Sequence, residues 1–124
     1  MINLDEYLKG VLKQILDSYA IIDQLSDKSG DLEIINREWL KIFGQFRVII
    51  NKLEKTPKNP DIYLELLKRL KHYVENNDFG REINTMAQLY STDINRLKNI
   101  RLKILDSLNE RNLMEKVVSI TNEL

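Results

Sequence analysis

With 124 residues, 19 Lys and Arg against 19 Asp and Glu, and 43% hydrophobic residues, the chain has the size and composition of one globular domain rather than a disordered one. It has no cysteine, which excludes disulfides, thiolate metal sites and cysteine nucleophiles, and no apolar run approaches the roughly 20 residues that span a bilayer. The acidic start, Met1 to Glu6, lacks the basic and apolar regions of a secretory signal, so a soluble, cytoplasmic protein with no membrane contact is expected.

Charge is segregated along the chain. Acids lead bases seven to three up to Glu33, and bases lead acids nine to four from Ile34 to His72. Such a mosaic lets the helices of one bundle complement one another more readily than it builds a nucleic-acid surface.

Leu4, Leu8, Val11, Leu12, Ile15, Leu16, Tyr19 and Ile22 recur at three- and four-residue intervals, and Asn3 is available as a cap. The spacing predicts a first helix from Leu4 to about Leu25. Ser26-Asp27-Lys28-Ser29-Gly30 is a loop by composition, with Gly30 free to take a positive φ and Asp31 placed to cap the next helix. The second stripe is Leu32, Ile35, Trp39, Ile42, Phe43, Phe46, Ile49, Ile50 and Leu53, rich enough in aromatics to be the heaviest part of the core. It continues to about Lys55 and stops at Thr56-Pro57-Lys58-Asn59-Pro60, because each proline disfavours helix in the residue before it.

Asn59 reads as the next N-cap, with Pro60 at the first helical position and Asp61 in the first turn, where the helix dipole favours an acid. Tyr63, Leu66, Leu67, Leu70 and Val74 form the third stripe, which ends at Asn76-Asn77-Asp78-Phe79-Gly80. The fourth helix is expected to run from Ile83 to Leu108 as a central element. Its stripe is Ile83, Met86, Ala87, Tyr90, Ile94, Leu97, Ile104, Leu105 and Leu108, with Leu89 and Ile100 as a second apolar flank. Arg101 interrupts this stripe and needs a carboxylate or carbonyl partner, since an unpaired guanidinium is costly to bury. After a break at Asn109 to Asn112, Leu113, Met114, Val117, Val118 and Leu124 allow a short fifth helix. The expected fold is a single all-α domain over residues 1–124, an antiparallel bundle of four long amphipathic helices with that short C-terminal addition.

Chemistry-bearing motifs are scarce. His72, the only histidine, lies opposite its helix's apolar stripe and reads as a surface imidazole, and a single histidine cannot supply the paired ligands of a di-iron bundle. There is no Gly-rich phosphate loop, no nucleophile elbow and no carboxylate pair on an apolar face, so no catalytic residue, metal or cofactor is expected and a non-enzyme is the reading. The residues that stand out are basic. Arg96, Lys98, Arg101 and Lys103 occur within eight positions with no acid among them, and Arg96 and Lys103 share the face opposite the stripe. They offer an interaction surface. The plainer alternative is a solvated helix face, because no aromatic is interleaved with them.

The run Asn59-Pro60-Asp61-Ile62-Tyr63-Leu64-Glu65-Leu66-Leu67-Lys68-Arg69-Leu70, followed by Glu82, Leu89-Tyr90 and Ile94 to Leu105, resembles the helical domain of GINS subunits. In that family an acidic and aromatic helix start precedes a long helix ending in a basic pattern, which Arg101-Leu102-Lys103-Ile104-Leu105 matches. The resemblance covers Asn59 to Leu108. It implies a non-enzymatic subunit of a DNA-replication helicase assembly, contacting sister subunits, the MCM motor and a RecJ-like partner, with Arg101 and Lys103 supporting packing and interfaces. Family members usually add a β-rich domain, which nothing here encodes, and the first helix lies outside the matched segment. Two other classes stay open: a small phage- or plasmid-type inhibitor or antitoxin that blocks a nuclease or toxin, and a direct nucleic-acid binder using the Arg96–Lys103 face. Leu40 and Val48, off the main stripe of the second helix, motivate a further expectation of a homo-oligomer.

Overall fold

The chain enters its first helix through an Asn cap. In the computed structural model, which describes residues 3–124, the Asn3 side chain accepts a hydrogen bond from the Glu6 N–H at 2.8 Å and opens α1 (Leu4–Gln24). α2 (Asp31–Lys55), α3 (Asp61–Asn76), α4 (Gly80–Leu89), α5 (Ile94–Asn109) and α6 (Leu113–Glu123) follow, with one 3-10 turn, Glu110–Asn112, before α6. The described residues form an all-α bundle without strands. None of its helices is long and apolar enough to cross a membrane.

The two caps expected after α1 and α2 are each displaced by one residue. Gly30, at φ 93°, is itself the N-cap of α2, and Asp31 is the first helical residue. The left-handed turn points the buried Asp31 carboxylate back into the loop, where it accepts from the Lys28 N–H at 3.0 Å. At the next junction Pro60 is the N-cap, its carbonyl accepting from the N–H groups of Tyr63 and Leu64. Asn59 turns the other way and donates from Nδ2 to the Leu53 carbonyl at 2.8 Å, closing the end of α2 rather than the start of α3.

α1 and α2 form the main helix pair. Ser18 bonds to Glu38 and Gln14 to Gln45, so residue numbers rise along one helix as they fall along the other, and the pair is antiparallel. α2 also packs on α3, α4 and α5, and α6 closes against α1, α3 and α5. The centre is aromatic, as the second stripe predicts. Trp39 stacks on Phe43 at 4.9 Å between centroids and meets the edge of Phe79 at 5.7 Å, while Phe46 meets Tyr73 edge-on at 5.3 Å. The Tyr73 hydroxyl lies 2.9 Å from Ser107 Oγ and receives a long hydrogen bond from the Trp39 indole N–H at 3.5 Å, tying α2, α3 and α5 together.

The single helix expected over Ile83–Leu108 is two helices. α4 ends at Leu89, Tyr90 to Asp93 form a turn, and α5 starts at Ile94. The central position belongs to the α5 part, where Leu97, Ile100, Ile104, Leu105 and Leu108 are buried; α4 sits at the edge on α2 and α5. Ala87, Tyr90 and Ile94, expected on the buried stripe, are exposed, as is Leu89 of the expected second flank. Val118 of α6 is exposed as well.

Candidate interaction surface at the α4–α5 corner

Three polar residues in sequence, Ser91, Thr92 and Asp93, give the backbone alternatives to a continued helix. Asp93 takes the strongest of them. Its carboxylate accepts from the Arg96 N–H at 3.1 Å and its carbonyl from the Leu97 N–H at 3.0 Å, which starts α5 afresh. The Tyr90 N–H bonds to the Met86 carbonyl at 2.8 Å and closes α4.

The restart turns apolar residues outward. Leu89 is 69% exposed, Ile94 47% and Tyr90 37%; Leu102, farther along α5, is 40% exposed. Beside them, between the two helices, runs a groove of about 600 Å³ whose lining includes Met86, Tyr90, Ile100 and Leu102 with Arg96 and Lys103. The Arg96 guanidinium lies 3.7 Å above the centre of the Tyr90 ring, and its Nε is 3.2 Å from Asp93 Oδ2. Across the groove, Lys103 Nζ donates to both Glu82 oxygens, at 3.2 and 3.4 Å, and bridges α5 to α4. Exposed ion pairs of this kind contribute about 0–1 kcal/mol each, so they orient the cations more than they hold the corner together.

The four basic residues marked by the sequence therefore separate. Arg96 and Lys103 line the groove. Lys98 is exposed outside it and has no ion-pair partner among the described residues. Arg101 turns into the protein and makes the contact that its burial demands: Nε and a terminal nitrogen donate to the two Asp27 carboxylate oxygens at 2.7 and 3.1 Å, and the other terminal nitrogen donates to the Asp23 carbonyl at 3.3 Å. The Asp27 hydrogen bond raises the Arg101 pKa above its ordinary value, against the opposing effect of burial. The clamp pins the α1–α2 loop to α5, and Asp27 reaches it from a left-handed backbone conformation at φ 62°.

Glu38 is the charged group that sequence patterning missed. It falls three residues after Ile35 and four before Ile42, on the buried face of α2, and is only 1% exposed. Ser18 Oγ donates to it at 2.9 Å, Arg37 Nε at 2.7 Å, and Lys41 Nζ lies at 3.4 Å. Burial pushes its pKa up, but the hydrogen bonds from Arg37, Ser18 and Lys41 outweigh burial and hold it below the usual carboxylate range. It lines neither the groove between α4 and α5 nor the one along α3, so the role its contacts describe is to join α1 to α2. Among the described residues no cluster of three or more metal-ligating side chains occurs.

No family model matches the chain, and no curated protein or solved structure is significantly similar to it.

Proposed function

We propose that the chain is a non-catalytic protein-interaction subunit that docks through the α4–α5 corner. The observation that carries this reading is the exposure of Leu89, Tyr90 and Ile94 around one turn, with Leu102 exposed farther along α5, next to a groove and within reach of oriented cations. A helix end that leaves three large apolar side chains in water gains nothing for its own fold, and burying an exposed leucine against a partner contributes about 1.5–3 kcal/mol. The state of the cations favours a protein over a phosphate backbone. Arg96 and Lys103 are each matched by a local carboxylate, Arg81 on the groove and Lys98 outside it are without an ion-pair partner among the described residues, and Glu82 and Asp106 line the groove as well, whereas steep phosphate binding needs several free cations on one surface. The GINS-like run from Asn59 to Leu108 puts replication proteins first among candidate partners, and a nuclease or toxin held by an inhibitor would use the same corner.

The test is affinity capture from native extract with the tagged wild-type chain and a Leu89→Glu/Ile94→Glu variant, with bound proteins identified by mass spectrometry at low and moderate salt. Helical circular dichroism should be unchanged in the variant, and specific partners recovered by wild type should be lost. Helicase subunits among them would support the replication assignment. A variant that retains every wild-type partner would refute the corner as the docking surface.

A further inference from the structure

A second groove, of about 820 Å³, lies between α3 and the turn that precedes α6, and it shares no lining residue with the corner. Leu64 and Leu67 give it an apolar floor, Leu64 exposed and Leu67 half-buried. Its rim is cationic, with Lys68, Arg69, Lys71 and Arg111 against Glu65 and Glu75. The carboxylate of Glu65 is already engaged, 3.4 Å from Lys116 and 3.9 Å from Arg69, and Lys71 is 3.2 Å from Glu54. Lys68 and Arg111 have no carboxylate within 4.0 Å among the described residues.

Arg111 is also held in place. It and Asn112 are consecutive non-glycine residues in the left-handed region, at φ 53° and 58°. A single such residue is uncommon, and keeping two adjacent ones needs outside support. Arg69 supplies that support by donating from a terminal nitrogen to the Arg111 carbonyl. The backbone of the turn is thereby fixed with the Arg111 side chain at the groove.

We propose that this groove is a second docking site and that its occupant is an acidic amphipathic helix of a partner protein, apolar residues on Leu64 and Leu67 and carboxylates toward Lys68 and Arg111. Helix-in-groove recognition needs an apolar floor and a rim of complementary charge; Leu64 and Leu67, one helical turn apart, supply the first and Lys68 and Arg111 the second. A nucleic-acid backbone would satisfy the rim and leave the leucines in water, with no aromatic platform for its bases. A second copy of this chain docking through the unpartnered apolar positions of α2 is disfavoured as occupant, because Leu40 and Val48 sit among Lys41 and Arg47 and would bring like charge to the rim. With the α4–α5 corner occupied independently, the chain would bridge two partners.

Random 16-residue peptides displayed on phage and panned on the full chain test this directly. Enriched peptides should combine Asp and Glu with Leu, Ile or Phe at helical spacing. By fluorescence anisotropy they should bind Lys68→Glu/Arg111→Gly at least tenfold more weakly, and Lys98→Glu and Leu89→Glu within twofold of wild type. Glycine suits the left-handed turn, so the double variant keeps the fold while losing both cations; an unchanged melting temperature checks this. The proposal is overturned if no peptide is enriched, if enriched peptides lack acids, or if they bind the double variant as tightly as wild type. It is overturned equally if the groove variant loses binding of a fluorescent 20-nucleotide single strand and of no peptide, which would make the site a phosphate surface. Because Leu89→Glu reports the corner and the double variant reports this groove, either site can fail without the other.

Discussion

Arg96 and Arg101 lie on the same helix, five residues apart, and do opposite things. Arg101 is enclosed by Asp27 and backbone carbonyls from the end of α1, so a charge inside the core becomes a joint between three segments. Arg96 rests on an exposed tyrosine at a corner where apolar side chains face water. Around Arg101, polar groups are matched and apolar groups covered; at the corner, Arg96 and Lys103 are matched locally and the apolar groups are left over. The interior arrangement stabilises this fold, and the corner arrangement is the one that the proposed docking would complete.

Substitutions that break the interior should cost most. Trp39→Ala removes the residue on which Phe43, Phe79 and Tyr73 converge, and about 3–5 kcal/mol of unfolding free energy should be lost in urea denaturation. Arg101→Met leaves Asp27 without its partner and should cost about 3 kcal/mol. Asp27→Asn keeps a side chain that tolerates the left-handed backbone. In a double-mutant cycle the pair Asp27→Asn/Arg101→Met should therefore lose clearly less than the sum of the single changes. Additive losses would mean that the clamp is not a coupled pair.

A pH titration sharpens the same contrast at an intermediate scale. The folded pKa of Glu38 is depressed, so its stabilising effect is fully present above the ordinary glutamate value of about 4.3 and is lost as pH falls through the lower folded value. Glu38→Gln should flatten the acid limb of stability and leave its shape above pH ~6 unchanged. At the alkaline end the sign reverses. Tyr73 is raised by burial and Tyr63 by burial and its hydrogen bond to Asp5, so their stabilisation is present below about pH 10 and lost as pH climbs through the raised values. Tyr73→Phe should weaken that alkaline loss and cost about 1 kcal/mol at neutral pH through the hydrogen bonds to Ser107 and Trp39.

The smallest effect on folding belongs to the corner. Leu89→Glu should change stability by less than about 0.5 kcal/mol, because the side chain it replaces is mostly in water. A destabilisation of several kcal/mol in Leu89→Glu would show that the corner is part of the core.

Helices are legible in the sequence wherever one apolar face runs uninterrupted. The spans of α1 and α2, the positive φ of Gly30 and the need of Arg101 for a carboxylate and carbonyls all follow from local patterning. The break between α4 and α5 is hidden from that patterning, although Ser91-Thr92-Asp93 is an N-cap signal, because the apolar positions on either side continue in phase across it. Tyr73 and Phe79 escape it for a different reason. Tyr73 is adjacent to Val74, which sits on the expected stripe, and Phe79 lies in a polar loop; Phe79 packs on Trp39 and Tyr73 on Phe46, contacts that local spacing cannot encode. Glu38 depends likewise on Ser18 of another helix. The basic run is visible as a cluster, but its division into a core clamp and an exposed face requires the tertiary contacts of Arg101.

The most direct test of the corner as a docking surface is site-specific photocrosslinking in the native cell extract, with benzoylphenylalanine placed singly at Leu89, Ile94, Leu40 and Val48. Leu40 is 52% exposed, so accessibility alone would label α2 as readily as α5. The corner reading predicts discrete heteromeric adducts from Leu89 and Ile94 and none from Leu40 or Val48. Adducts from the α2 positions with the corner silent, or a product of twice the chain mass from α2 alone, would contradict it and assign docking to the outer face of α2.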